Sequence, residues 1–365
     1  MVEAPEAGGA WALRRSEVAV EVVQQPGPKS EHAALIAKAL VARAGDSLDG
    51  LWVESASDWM KGVRSGIKGP GIRMPEVHAW MGMARNDAAG VSARELVARW
   101  DMLLARDRIP AVVSVSNDPR QGVPDLLASS FHALAVGCAD GGHGAGTTTD
   151  GFGPRHKPDL VVDARSTSLA AAQAGGVLAR MWEHTEADSE ARAPEVIRAV
   201  LLATASREAS FFEATSAWRP FHPVLGAGVL NGEAAEAVVL GERVGSDWSF
   251  VRVTPSASWF QDVEISSLGE WSVAASWNLS YDVAGEVMPP ADVTLTVFRV
   301  NAEGGLLEKV GGSNALVGNH ELASVRESGP GRYRVVVTTD RAVRVGVAWC
   351  LTPPVAMRDE ASDTD

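Results

Sequence analysis

The sequence contains few cysteines and no long apolar run. Its two cysteines, Cys138 and Cys350, lack the paired spacing of zinc sites, redox motifs and disulfide frameworks, so we expect two free, buried thiols. No stretch approaches the roughly 18 consecutive apolar residues of a membrane-spanning helix, which predicts no membrane association. The N-terminal residues lack a basic region followed by an uninterrupted apolar segment. This predicts no secretory signal and a cytoplasmic location.

Basic residues are also scarce relative to acidic ones. The chain has 33 Lys and Arg against 46 Asp and Glu, a net charge of −13. A field of this sign repels polyanions, so we expect no nucleic-acid partner. With 46% hydrophobic and 22% charged residues, the composition is that of a folded globular protein. A length of 365 residues favours two domains.

Strand-like and helix-like patterns alternate through the first two thirds of the chain. Residues 18–23 alternate as a first strand, and residues 30–45 carry apolar side chains at helical spacing. Such alternation favours an α/β domain with a mostly parallel sheet covered by helices on both faces. Further strands are predicted at 48–55, 75–82, 109–116, 131–137 and 158–164, and further helices at 93–107, 166–184 and 194–205.

The pattern changes near residue 243, where short alternating segments are separated by turn residues. These segments predict antiparallel strands of a small all-β sandwich over residues 243–353. Five strands are predicted, at 271–283, 291–300, 320–327, 331–339 and 342–349. Residues 354–365 form a polar, acidic segment that we expect to be a disordered tail.

Four polar residues lie at the ends of predicted elements in the α/β part. They are Glu21, His32, Asn117 and Ser168, in that chain order. Functional groups of open parallel sheets gather beyond the carboxyl ends of the strands, so these side chains could converge. Acyl transfer needs a hydroxyl nucleophile, an imidazole base, a carboxylate that orients the imidazole, and oxyanion donors. The set therefore predicts a hydrolytic site.

Short motifs in the same order carry a resemblance to a known family. The segment STSLAAAQAGG, which contains Ser168, resembles the GTSMAAPHVAG serine motif of the subtilisin-like serine proteases, the subtilases. The segment HAALIA from His32 resembles that family's HGTHVA motif, and AVVSVSNDP resembles the strand that leads to its oxyanion asparagine. FHALAVG, GPRHKPDLVVDA and LGAGVLNGEAA resemble later family segments, so the match covers about residues 17–240.

This resemblance implies a three-layer subtilisin-like peptidase domain over residues 1–242, followed by a jelly-roll-like sandwich such as many bacterial subtilases carry. It implies a serine endopeptidase that hydrolyses peptide bonds in a peptide or protein substrate. Ser168 would be the nucleophile and His32 the general base. Glu21 would replace the family's aspartate, and Asn117 would stabilise the oxyanion. No cofactor is required by these roles, and the sequence shows no metal-ligand motif; calcium is implied by the resemblance alone.

The wall of the substrate cleft aligns loosely with the segment AWMGM. Trp80, Met81 and Gly82 would then contact the substrate, and they would make the cleft narrower or more apolar than the family's usual Ser-Leu-Gly-Gly. An α/β-hydrolase is excluded because the chain has no G-x-S-x-G elbow and the wrong chain order.

Several positions depart from the family pattern and leave a second functional hypothesis open. The family's aspartate is absent, and a slip of one residue would place Val22 where Glu21 is expected. Small residues also replace motif glycine, threonine and proline, namely Ala33, Ala34, Ser166 and Ala172. The alternative is a pseudo-protease that uses its cleft and sandwich to bind peptides or proteins without turnover.

Overall fold

The computed structural model describes residues 2–3, 21–24, 31–45, 50–55, 59, 62–63, 75–79, 93–123, 127–148, 154–281, 287–313 and 318–353. Within these ranges the chain forms a seven-stranded sheet followed by two four-stranded sheets and a small β-ribbon. The tail predicted for residues 354–365 lies outside the described residues.

Seven parallel strands form the first sheet, in the order β2-β3-β1-β4-β5-β6-β9. The shortest strand, β1, lies between β3 and β4 and precedes all the others in the chain. Parallel neighbours need crossover connections, and helix α1 (Glu31–Ala44) supplies the one between β2 and β3. The strands are β1 (Val2–Glu3), β2 (Glu21–Gln24), β3 (Gly50–Ser55), β4 (Glu76–His78), β5 (Ala111–Ser114), β6 (Ala133–Cys138) and β9 (Leu160–Val162). The ribbon pairs β7 (Gly146–Thr147) with β8 (His156–Lys157).

Helices cover both faces of this sheet. On one face, α1 (Glu31–Ala44) and α3 (Thr167–Glu183) share a buried core with strands β4, β6 and β9. On the other face lies α2 (Ala93–Asp107), whose buried Leu96, Trp100 and Leu103 recur at helical spacing. Two more helices follow, α4 (Pro194–Ala203) and α5 (Gly232–Val239). The predicted three-layer α/β fold is confirmed.

The rest of the described chain is an antiparallel β-sandwich. One sheet has the order β10-β17-β12-β15 and the other β11-β16-β13-β14. Trp271 and Trp277 lie fully buried in the shared core with valines from both sheets. The predicted all-β sandwich is therefore confirmed. Its strands are β10 (Asp247–Val253), β11 (Trp259–Ile265), β12 (Gly269–Trp277), β13 (Val293–Val300), β14 (Leu306–Ser313), β15 (His320–Ser328), β16 (Gly331–Thr339) and β17 (Val343–Thr352).

Helix α4 joins the sandwich to the parallel sheet. All ten of its residues are buried, and it packs against β12 and β17. Gly346 of β17 makes this possible, because a Cβ there would overlap the backbone of Glu195 and Val196. From the same helix, Arg198 donates to Ser276 Oγ at 2.9 Å and to the His132 carbonyl at 2.8 Å. The domain boundary at residue 242 stays a prediction, but contacts cross it through buried polar groups.

His132 is one of these buried groups, and it gives the junction a dependence on pH. Its Nδ1 lies 2.6 Å from the Asp101 carbonyl oxygen, and its Nε2 accepts the Leu279 N–H at 2.8 Å. The ring is therefore neutral, with its proton on Nδ1. Burial lowers the pKa of His132 from 6.5 to about 4.

We expect stability to fall as the pH drops from 6.5 towards 4. In that window the unfolded chain binds a proton at His132 that the folded chain resists, at a cost of up to about 3 kcal/mol. Urea unfolding midpoints between pH 7 and pH 4 measure this loss. His132→Gln should lower the slope by about half, because His320 is also buried with its pKa lowered to about 4. The exposed His156→Gln is the control, and an unchanged slope in His132→Gln would contradict the assignment.

Candidate functional site

Ser168 lies in the first turn of α3, at the carboxyl edge of the parallel sheet. Its side chain is nearly buried, with 8% of the residue exposed. Ser166 is the N-cap, and its Oγ accepts the Leu169 N–H at 3.4 Å. Further down the helix, Gly175 lies directly against Val77 of β4, where a Cβ would overlap the valine. The helix therefore runs back over the sheet from an N-terminus at the strand ends.

Asn117 is held beside that N-terminus by hydrogen bonds to Thr167. It lies three residues beyond the end of β5. Its Oδ1 accepts the Thr167 backbone N–H at 2.9 Å and the Thr167 hydroxyl at 3.1 Å. With the amide oxygen engaged on both, the NH₂ group of the exposed Asn117 side chain is directed away from Thr167.

The loop that carries Asn117 is itself fixed. Ser116 Oγ donates to Gln121 Oε1 at 2.9 Å and accepts the Asp118 N–H at 3.0 Å. The Gly144 N–H donates to the Ser116 carbonyl at 2.8 Å, and a Cβ at Gly144 would overlap the Gln121 carbonyl oxygen at 2.5 Å. The amide of Asn117 is thus presented by a braced turn, which suits a preorganised donor.

His32 lies at the same end of the fold as Ser168. It is half-buried in the first turn of α1, which packs against α3. The two helices meet closely where a Cβ at Gly176 would lie 2.7 Å from the Leu40 carbonyl oxygen. His32 precedes Leu40 by eight residues, and Ser168 precedes Gly176 by eight, a rise of about 12 Å along each helix. Both helices run antiparallel to the strands of the sheet. Because the rise is equal in the two helices, His32 and Ser168 lie at the same height above the contact between Leu40 and Gly176.

The backbone of Glu21 lies at the amino edge of the sheet, where the parallel strands begin. It is the first residue of β2 and pairs in register with Gly50, at the amino end of β3. The structure therefore does not bring the Glu21 backbone to the level of the other three predicted residues.

Glu3, a residue that the sequence analysis missed, ends strand β1. It pairs in register with Ser55, five residues beyond Gly50 on β3, or about 16 Å closer to the carboxyl edge. Its neighbour Val2 is level with His78 of β4, and His78 is level with Val113 of β5. A strand of two residues shows no alternation, so the only sequence signal was an acidic residue after a short apolar start.

The predicted cleft residues Trp80, Met81 and Gly82 lie outside the described residues, so their role stays a prediction. They follow His78 and Ala79, which are buried at the carboxyl end of β4. Both cysteines are free and buried, as predicted.

Over the described ranges, no group of three or more His, Cys, Asp or Glu side chains could hold a metal ion, and calcium stays a prediction. Among the described helices, none combines the length and apolarity needed to cross a membrane.

Comparison with known proteins gives similarity at the level of architecture. No protein-family model matches this sequence, and no curated protein sequence matches it. The structure of the prenylagaramide maturation protease PagA is similar over 61% of this chain and 87% of its own, with 16% identity and a TM-score of 0.39. A mutant of the protease domain of PatA is similar over 62% and 89%, with 17% identity and a TM-score of 0.36.

A third structure is similar over a smaller share of the chain. The pre-peptidase C-terminal domain of collagenase from Bacillus anthracis is similar over 28% of this chain and 88% of its own, with 12% identity and a TM-score of 0.21. All three similarities are too low to bear on the chemistry of the site.

Proposed function

We propose that this chain is a serine endopeptidase of the subtilisin-like type, which hydrolyses peptide bonds in peptide or protein substrates. Ser168 attacks the carbonyl carbon and transfers its proton to His32, which later delivers a proton to the leaving amine. The Asn117 amide and the Ser168 backbone N–H donate to the oxyanion of the tetrahedral intermediate. Water then hydrolyses the acyl-enzyme through the same groups.

The hydrogen bonding of Asn117 carries this proposal. An asparagine that only forms a turn does not need a fixed side-chain amide. The side-chain oxygen of Asn117, however, accepts hydrogen bonds from Thr167, the residue that precedes Ser168. Its NH₂ group is thereby fixed before substrate arrives, which is what an oxyanion donor requires. Removing one such donor costs roughly 100- to 1000-fold in rate in subtilisin.

The position of Ser168 supports the same chemistry. The first-turn N–H groups of a helix have no intrahelical acceptor, and the helix dipole favours negative charge near them. Ser168 belongs to that turn of α3, so its own N–H is available where the oxyanion would develop. His32 lies in the first turn of the neighbouring helix α1, at the same level as Ser168.

We further propose that Glu3, and not Glu21, supplies the carboxylate that orients His32. A carboxylate in this role must reach the imidazole at the carboxyl edge of the sheet. The register places Glu3 near that edge and Glu21 about 16 Å below it. The strand that ends in Glu3 is also central in the sheet, between β3 and β4.

Labelling with a fluorophosphonate probe tests the proposed function, because the probe reacts only with an activated serine. We expect the wild type to be labelled and Ser168→Ala to lose all labelling. His32→Ala should slow it by at least about 1000-fold, and Asn117→Ala by about 100-fold.

Ser166→Ala is the matched control, because it removes a serine hydroxyl two residues away that only caps the helix. It should retain labelling and lose about 1 kcal/mol of stability. Folded wild type that is not labelled would overturn the proposal and favour a pseudo-protease that binds peptides in the same cleft.

A further inference from the structure

An open cavity lies where α4, the end of α2 and strands β10 and β17 meet, on the side of the molecule that the proposed reaction does not use. Its volume is about 300 Å³. We call it the junction cavity. It is lined by Ala105, Glu195, Arg252, residues 278–280, Ala342, Val343 and Arg344.

Two arginines lie side by side at the junction cavity. Arg252 of β10 and Arg344 of β17 are directly opposite in the antiparallel register, so their side chains lie on the same face of the sheet. Like charges in this arrangement repel and destabilise a strand pair. Within the described ranges, neither guanidinium forms an ion pair with a carboxylate. The strand pair therefore carries a repulsion between two exposed guanidinium groups, which the contact of Arg344 with the Phe250 ring and the nearby Glu195 carboxyl group offset in part.

A third arginine directly follows the last residue of α2. Arg108 has a φ of +53°, a backbone conformation that glycine or asparagine adopts most readily at the end of a helix. Its guanidinium lies 5.9 Å from the centre of the Phe250 ring, and that of Arg344 lies 5.0 Å from the same ring. An arginine held in this conformation, beside another one on the same ring, adds positive charge near the cavity.

The floor of the cavity is the start of α4. Gly346 lets the helix approach the sheet, and Ala193 provides no side-chain cap for its first N–H groups. Glu195 lies in this first turn with 7% of the residue exposed, and among the described residues none forms an ion pair with its carboxyl group. The first turn thus presents one buried carboxyl group to the cavity, while Pro194 has no N–H and the Glu195 N–H is bonded to the carboxyl group of the same residue.

The balance of charge around the cavity is positive. Burial raises the pKa of Glu195, and three guanidinium groups oppose that rise, those of Arg198, Arg108 and Arg344. Arg198 is already hydrogen-bonded to Ser276, Asn278 and two carbonyl groups. Even with Glu195 ionised, Arg108, Arg252 and Arg344 leave a surplus of positive charge in a protein whose net charge is −13.

We propose that the junction cavity is a binding site for a small oxyanion, a carboxylate or a phosphate, held between Arg252 and Arg344. Guanidinium groups match the geometry of both anions through paired N–H donors, and an anion between them would replace their repulsion by two attractions. The volume of the cavity is that of a small-molecule site. Helices α2 and α4 also line the cavity, so the bound anion would lie at the junction of the sandwich with the parallel-sheet part.

Titration calorimetry and thermal unfolding of the full chain test this proposal, with inorganic phosphate and succinate as separate probes in Tris chloride at constant ionic strength. We expect at least one probe to release heat and to raise Tm by about 2–4 °C. A response to phosphate alone, to succinate alone or to both supports the site and identifies the anion. No response to either overturns the proposal.

Two variants separate binding from a structural role. Arg252→Gln and Arg344→Gln should each weaken binding by about 10-fold or more, since each removes a charged hydrogen-bond donor. Without the probe, the same changes should leave Tm equal or higher, because they remove the repulsion. Arg299→Gln, on the other sheet, removes the same charge and should bind as the wild type does. Equal weakening in Arg299→Gln, or a lower Tm without the probe in both junction variants, would show general charge or packing effects and overturn the site.

Discussion

Glu3→Gln is expected to slow peptide hydrolysis and probe labelling by about 10³- to 10⁴-fold, whereas Glu21→Gln should leave both near the wild-type rate. An amide in place of the orienting carboxylate no longer stabilises the imidazolium that forms as Ser168 loses its proton, and it favours the wrong tautomer of the base. The two variants make the same chemical change 18 positions apart in the chain, so each is the matched control of the other.

The register of β3 is the reason for this difference. Gly50 is level with Glu21 and Ser55 is level with Glu3, and the carboxyl edge lies beyond Ser55. Two measurements on Glu3→Gln separate a role in orientation from a loss of folding. The single-turnover labelling rate should be lower than that of the wild type over a range of pH, and the unfolding midpoint should not be lower. The opposite ranking of the two variants would return the role to Glu21.

Most of the fold could be predicted from the sequence because buried elements carry strong patterns. The helix predicted at 93–107 and the strand at 331–339 have the observed bounds. The three sandwich strands that the pattern missed, β10, β11 and β14, all lie at the edge of a sheet. Edge strands pair on one side only and keep polar or exposed side chains, as the exposed Leu306 and Leu307 of β14 show, so they lack clean alternation.

The elements that carry the candidate residues were predictable where local chemistry marked them. Ser168, His32 and Asn117 begin helices or follow a strand, and such positions can be found from helix signals and strand ends. The acid that we propose, Glu3, could not be found in this way, because its position depends on which strand lies in the middle of the sheet. That order, with β1 between β3 and β4, is a tertiary property set by crossover connections.

Asp159→Asn is expected to cost about 3–5 kcal/mol of stability, because it leaves a buried ammonium group uncompensated. Both Asp159 oxygens accept from Lys157 Nζ, at 3.0 and 2.8 Å, and each of the two side chains is 1% exposed. Oδ2 also accepts the Ala135 N–H at 2.7 Å, and His320 of the sandwich lies 3.3 Å from Oδ1. The Asp159 carboxylate thus contacts β6, Lys157 and His320 of the sandwich. It lies in the chain just before β9 and helix α3, which carries Ser168.

The double variant Lys157→Met/Asp159→Asn distinguishes the charge pair from simple loss of packing. Burial lowers the pKa of Lys157 and Asp159 raises it, so removing Asp159 alone forces the lysine either to stay charged at high cost or to lose its proton. Removing both charges should recover about half of the lost stability, since no buried ion remains. Urea unfolding midpoints at pH 7 measure all three variants, including Lys157→Met alone. Losses that simply add in the double variant would show that the two side chains act independently and would contradict the charge pair.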